Sequence, residues 1–519
     1  MNHSLTLHEK IGQMVMTGFS GPEFGQPIRE AVEKGAVGNI VLFAGNIRNA
    51  RQMHRLCTEI QRFIRQKTGV SPFIAIDQEG GMVSRMPFDG TIFPGNMAVA
   101  ATGSPRNARI AGRITGRELH ALGCSIDFAP VMDINTNPNN IEIGVRSYGD
   151  QPETVQKYGL AMAEGLQEEG VLAVAKHFPG HGSTSVDSHF GLPRVDKTSA
   201  QMEAGDLVPF RAAAEGRVGG VMSAHILFPA MEKKNVPATL SHTILTGLLR
   251  QRMKFQGLIF TDCLEMGAIK RYYGTAEGAV AAVEAGADMV LISHTPSAAA
   301  EVAQNIEAAV RDGRIPEETI NRAVERILKF KEQYAEYEIA ETDLSVVGCR
   351  EDRSEARRIS AEGITPVRSG AWKLPEGSHP LFIGCKADRA TPVSDEIAET
   401  FNFPSYLAEK TGGTGLLIPL NPSEEEIPPI LEKAAGFDPV VVGLYNGHIN
   451  RGQIALANRL CEGHRRILAV SLRGPYDIPL LDSRIPALAA YEYTPLSFDT
   501  LADVFRGAAV PSGRLTVRL

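Results

Sequence analysis

The chain has 519 residues, 43% of them apolar and 22% charged, a globular composition that excludes disordered and fibrous classes. Its 53 basic and 60 acidic side chains leave a net charge of −7, so there is no electrostatic footprint for nucleic acid or an anionic membrane, and a small molecule is the expected partner. At about 150 residues per domain the length allows two or three domains.

The amino-terminal MNHSLTLHEKIGQM puts Glu9 and Lys10 where a secretory peptide needs its apolar core. No apolar run approaches the roughly 20 residues of a membrane span, so the cytoplasm is the expected compartment. Eight short apolar runs then recur between helical stretches: IGQMVMTGF, GNIVLFAGN, PFIAIDQEGG, CSIDFAPVMD, VLAVAKHFPG, VGGVMSAHI, GLIFTDCLEM and ADMVLISH. Near-continuous apolarity is the mark of parallel strands buried on both faces. With the helix opened by Pro316 they predict an α/β fold, a (β/α)8 barrel over residues 1–335, against which a doubly wound open sheet is the structural rival. Residues 336–369 are charged and read as a linker with a helix. Residues 370–519 hold the candidate strands LFIGC, GLLIPL, PVVVGLYN, ILAVSL and ALAAYEY between helical stretches, predicting a smaller α/β/α sandwich. The six cysteines are scattered with no C-x-x-C pair and read as small buried hydrophobes, and Trp372 reads as a buried structural residue.

Ionisable residues collect where the barrel strands end: Asp77, Asp133, Lys176 with His177, His225, Asp262 and His294. The carboxyl-terminal ends of parallel barrel strands meet on one face, so these groups converge there. The stretch Lys176-His177-Phe178-Pro179-Gly180-His181 through His189 holds three of the 13 histidines. His177 and His181 stand four apart, as helical zinc ligands do, but Pro179-Gly180 breaks any helix between them, and no metal is expected. The better account is a Gly-rich loop carrying an acid/base pair. If Asp187-Ser188-His189 is extended, the carboxylate and the imidazole point to the same side, and Asp187 can orient a proton-shuttling His189; a loop histidine with a casual acidic neighbour is the alternative. Asp262, directly after the run GLIF, has the rigid setting a nucleophile needs, while Glu265, expected in the following helix, reads as structural. In Asp77-Gln78-Glu79-Gly80-Gly81 through Arg85, the glycines would let backbone approach a ligand. Residue chemistry alone thus gives an enzyme for a polar ligand that works with Asp and His.

Taken together, Lys-His-Phe-Pro-Gly-His-Gly leading to Asp187-Ser188-His189, Asp-Gln-Glu-Gly-Gly at 77–81, Arg146-Ser147-Tyr148-Gly149, Met222-Ser223-Ala224-His225 and Thr261-Asp262 are specific in their order. The sequence resembles glycoside hydrolase family 3, in its β-N-acetylhexosaminidase branch and two-domain type. The resemblance implies a retaining exo-β-N-acetylglucosaminidase without cofactor or metal, a monomer or homodimer acting on an amino sugar. By it Asp262 is the nucleophile, His189 the acid/base oriented by Asp187, and Asp77, Arg85, Arg146, Lys176 and His177 bind the sugar. Histidine as acid/base departs from the usual carboxylate pair, although its pKa of about 6.5 suits both halves of the cycle. Met82 stands where the family usually has arginine, and Cys263 where barrel-only members often have a second aspartate; both bear on the leaving-group side. A phosphorylase, using phosphate in place of water, and a non-catalytic sugar-binding protein are the alternative readings.

Overall fold

The eight apolar runs form the eight strands of a closed parallel barrel in the computed structural model, which describes residues 5–186, 192–388, 394, 397–464 and 466–519. The strands are β1 (Val15–Thr17), β2 (Asn39–Leu42), β3 (Phe73–Ile76), β4 (Ile126–Asp127), β5 (Leu172–Phe178), β8 (Gly220–Ser223), β9 (Leu258–Cys263) and β10 (Met289–Ile292); β6 (Ser185–Val186) and β7 (Pro193–Arg194) pair as a short antiparallel hairpin after β5. The barrel closes through β1 and β10, which settles closure against the open sheet. Its strands are short because each is buried on both faces: every residue of β2, β3, β8 and β10 is buried. The outer helices carry ordinary termination signals. Helix Leu7–Met14 opens on a Thr6/Glu9 capping box, and Ala50–Thr68 runs from an Asn49 cap to Gly69 in the left-handed conformation.

The second unit is a six-stranded sheet of β11 (Thr365–Arg368), β12 (Leu381–Cys385), β13 (Thr414–Ile418), β14 (Val440–Leu444), β15 (Ile467–Ser471) and β16 (Ala487–Ala489). It is parallel except for β11, which runs antiparallel to β16. Helix Phe403–Thr411 packs on β12 and β13, and Arg451–Gly463 on β14 and β15. β11 lies in the stretch read as linker; four residues with a proline, next to a charged helix, give no strand signal, and the pairing with β16 makes the strand. Trp372 packs, partly buried, against this unit's core. Five cysteines are buried, while Cys349 is half-buried at the start of helix Arg350–Gly363.

The two units share a core. Met97, Ala98, Ala101 and Val145 from the barrel's loops and helices belong to the same buried cluster as the sandwich strands, and Met82 packs against it. At this seam Glu492, 2% exposed, accepts the Gly95 N–H at 2.8 Å. Burial pushes its carboxyl up to about 7 from 4.5, partly opposed by hydrogen bonds from Gly95 and Thr494. Between those two values the native state holds more protons than the unfolded chain at this group, so the contribution of Glu492 to stability is greatest below pH 4.5 and falls until about pH 7, by an amount on the order of 3 kcal/mol. Glu492→Gln keeps the acceptor and removes the titration. Its melting temperature is expected to match wild type at pH 5 and to exceed it by a few degrees at pH 8; equal melting at both pH values would refute this account.

Candidate active site

Lys176 and His177 belong to β5, whose register against β8 shifts between Ala175 and Phe178. Such an irregularity re-aims side chains. Lys176 Nζ donates to Asp77 Oδ1 at 2.9 Å and lies 2.7 Å from Glu79 Oε1. The same Glu79 carboxylate takes Arg146 through Nε and Nη2 at 2.8 and 2.7 Å, while Arg146 Nη1 donates to the Glu142 carbonyl. Burial alone would raise the Glu79 carboxyl; the charges and hydrogen bonds of Arg146 and Lys176 win and hold it well below the usual carboxylate range. Likewise, burial pulls Lys176 down, but Asp77 and Glu79 outweigh it and keep the ammonium charged. Two cations and two carboxylates thus neutralise one another. The Asp77 side chain stays 17% exposed, and its carboxylate is an acceptor of the kind that suits a ligand hydroxyl.

A second cluster centres on Asp133. Its carboxylate is fully buried and accepts His177 Nδ1 at 2.7 Å, the His177 backbone N–H at 3.2 Å and the His181 backbone N–H at 2.7 Å. Burial would raise it, but the His177 and His181 contacts leave it lowered. The carboxylate requires Nδ1 of His177 to carry its proton, which leaves Nε2 for a ligand. His181 is pulled down to about 4, chiefly by burial and then by His177, so it is neutral at pH 7 and serves the loop. Residues 172–178 are strand and residues 179–184 turn and coil, so the i, i+4 face of a zinc helix does not exist. Among the described residues no group of three or more His, Cys, Asp or Glu is arranged to hold a metal ion.

Asp262 is the fifth residue of β9, inside the barrel wall. Oδ1 accepts the Cys263 N–H at 2.7 Å, and Oδ2 has no hydrogen bond among the described residues. Burial raises this carboxyl, but His225, His177, the Cys263 N–H and Lys176 together bring it below its ordinary value. His225 braces this strand end: Nε2 donates to the Cys263 carbonyl at 2.9 Å and Nδ1 meets Thr239 Oγ1 at 2.8 Å. Burial lowers its pKa, partly opposed by the Asp262 carboxylate and the Cys263 carbonyl.

The structure therefore brings Asp77, Arg146, Lys176, His177 and Asp262 to one face. Arg85 is buried, and its backbone N–H donates to Gln78 Oε1. Asp187 and His189 lie outside the described residues. His294 is exposed, its ring 5.0 Å from that of Phe43. Two expectations need correction. Glu265 sits in a turn before helix Gly267–Lys270 and accepts the His294 N–H at 2.6 Å. Gly80 and Gly81 face neighbouring chain: a Cβ on Gly80 would lie 2.9 Å from the Pro94 carbonyl, and one on Gly81 2.7 Å from both Gly95 and Glu492. They allow the loop to press on the domain seam.

The model of the glycosyl hydrolase family 3 N-terminal domain matches residues 6–330. The chain belongs to glycosyl hydrolase family 3. Over 379 residues it is 33% identical to "Beta-hexosaminidase A" of Pseudoalteromonas piscicida, a match spanning 66% of this chain and 63% of that protein. It is 34% identical to a "Beta-hexosaminidase" of Alkalilimnicola ehrlichii over 56% of this chain and 84% of that one. A solved family 3 β-N-acetylglucosaminidase from Paenibacillus sp. str. FPU-7 superposes with a TM-score of 0.91 at 38% identity, covering 99% of each chain. These likenesses place the chain in the family's β-hexosaminidase branch and give the two-unit fold. In this family 3 protein Glu79 stands inside the Asp-Gln-Glu-Gly-Gly run, but its partner Arg146 is 67 residues away, so local spacing does not reveal the pair.

Proposed function

We propose that this family 3 protein is a retaining exo-β-N-acetylglucosaminidase that releases terminal N-acetylglucosamine from soluble cell-wall (muropeptide) or chitin-derived fragments, in the cytoplasm. The observation that carries the reading is Asp262, an ionised carboxylate in a barrel strand with Oδ1 held and Oδ2 without a hydrogen bond among the described residues, in electrostatic reach of His177 and Lys176. Oδ2 attacks the anomeric carbon while His189, oriented by Asp187, gives its proton to the leaving oxygen. In the second step His189 takes a proton from water, which attacks the same carbon and releases Asp262. Asp77, Arg85, Arg146, Lys176 and His177 hold the sugar's hydroxyls and acetamido group. Supporting this are the donor and acceptor types of the Asp77–Lys176–Glu79–Arg146 network and the availability of His177 Nε2.

The test is product analysis with 4-nitrophenyl N-acetyl-β-D-glucosaminide, with and without phosphate. Free N-acetylglucosamine, released first as the β-anomer in both conditions, is the expected product. A sugar 1-phosphate as main product would replace hydrolysis by phosphorolysis, and an inert protein would overturn the reading altogether.

A further inference from the structure

The loop after β5 has an outgoing leg, residues 179–186, and a returning leg, residues 192–198. The returning leg is stitched to the barrel. The Val195 N–H donates to the Leu227 carbonyl at 3.0 Å, the Leu227 N–H to the Pro193 carbonyl at 2.9 Å, and Lys197 Nζ to the buried Asp206 Oδ2 at 2.6 Å. The outgoing leg is held differently. Beyond the His181 N–H that Asp133 takes, it is fastened by two amide side chains from the segment after β4. Asn140 Nδ2 donates to the His181 carbonyl at 2.8 Å and to Thr184 Oγ1 at 3.0 Å, and Asn137 Nδ2 donates to the Thr184 carbonyl at 3.1 Å. Asn140 is buried, and its Oδ1 accepts the Ile143 N–H at 3.2 Å, so the sense of the amide is fixed and both Nδ2 donors are spent on the loop.

The sandwich grips the same segment. Tyr476 Oη takes Asn135 Nδ2 at 3.0 Å, His448 Nε2 donates to the Pro138 carbonyl at 3.2 Å, and Nη2 of the buried Arg473, two residues beyond β15, donates to the Ile141 carbonyl at 2.6 Å. Along the chain the residues bound to the sandwich, Asn135, Pro138 and Ile141, alternate with those bound to the loop, Asn137 and Asn140. The segment is therefore a bridge whose two sets of bonds share one short piece of backbone, a continuous hydrogen-bonded connection between the second unit and the loop. Thr184, where that connection arrives, directly precedes β6, and Asp187 directly follows β6 in the sequence.

We propose that Asn140 is a positioning residue for the acid/base step: it sets the outgoing leg of the loop, and the sandwich sets Asn140 through Tyr476, His448 and Arg473. This rests on the glycosidase reading above, in which His189 acts from that loop. It gives the second unit a part in the reaction without lending it a reacting group. Proton transfer to a leaving oxygen demands hydrogen-bond reach, so a displaced leg costs protonation before it costs anything else. The backbone bond from the Gly144 N–H to the Asn140 carbonyl, at 3.0 Å, survives a change of side chain and keeps the turn toward Arg146.

The experiment compares kcat/KM of the full chain on two aryl N-acetyl-β-D-glucosaminides. The 2,4-dinitrophenyl leaving group departs without a proton, whereas the phenyl one needs it. Asn140→Ala is expected to lose about 30-fold on the phenyl substrate and less than about threefold on the dinitrophenyl one, whereas a damaged sugar site would lower both alike. His448→Ala should show the same selectivity at about fivefold. His189→Ala, measured beside them, sets the largest selective loss. No loss in Asn140→Ala, or an equal loss on both substrates, would overturn the proposal, and an unselective or absent effect in His448→Ala would overturn the part given to the sandwich. If Asn140→Ala does not fold, Asn137→Ala, at the partly exposed residue beside it, carries the same expectation and the same refutation. Failure of the glycosidase reading is distinguishable: wild type then turns over neither aryl sugar, and if only its acid/base assignment fails, His189→Ala is unselective as well.

Discussion

Asp262→Ala is expected to lower kcat on 4-nitrophenyl N-acetyl-β-D-glucosaminide by about 10³- to 10⁵-fold while leaving the melting temperature within a few degrees of wild type. The asymmetry follows from the site. Among the described residues Oδ1 makes a single hydrogen bond, to the Cys263 N–H, and Oδ2 makes none, so little holds the fold through this side chain. Removing a partly buried carboxylate also removes its desolvation penalty. By the proposed mechanism the chemistry loses its nucleophile entirely. Azide added to Asp262→Ala should enter the space of the missing carboxylate and give the α-glycosyl azide from an activated aryl substrate. Activity within tenfold of wild type would show that another group attacks the sugar.

Glu79→Ala is the converse case, with a large effect on stability and activity together. Glu79 compensates two buried cations, and its removal leaves Arg146 without its bidentate partner and Lys176 with Asp77 alone. Breaking a buried pair from one side costs about 3–5 kcal/mol. Thermal melting should fall by several degrees. Because Lys176 and Arg146 are then free to move, kcat/KM should drop by about 100-fold. Glu79→Gln keeps the shape and some hydrogen bonding, and is expected to lie between the two. Melting of Glu79→Ala within a degree of wild type would show that the network is not the brace described.

Much of this architecture was legible because burial leaves a signature in consecutive residues. Runs such as FIAI and MVLI fit strands covered on both sides, and the eight runs hold all eight barrel strands. Asp262, Lys176 and His177 stood out because they follow or interrupt such runs. Asp133 stood out less, a single acid at a strand end, yet it fixes three donors from the β5 segment at once. That role depends on the turn after β5 bringing the His181 N–H back to Asp133, which no local spacing encodes. Glu492 and Arg473 carried no signal, since each is defined by the other unit's backbone: Gly95 for one, Ile141 for the other. The double glycine was misread for the same reason. Its chemistry suits a ligand contact, and only the proximity of Gly95 and Glu492 shows a packing contact instead.

The shared cluster at the seam bears on how such chains can be divided. With Met97, Ala98, Ala101 and Val145 buried among sandwich side chains, the barrel's outer wall is finished by residues from the second unit. A barrel cut free after its last helix would turn those side chains to water and release the segment around Ile141 from Arg473, His448 and Tyr476. Chains of this family that consist of the barrel alone must therefore complete that wall with different residues. Transplanting a sandwich onto such a barrel would require rewriting the barrel's own surface, and not merely joining two ends.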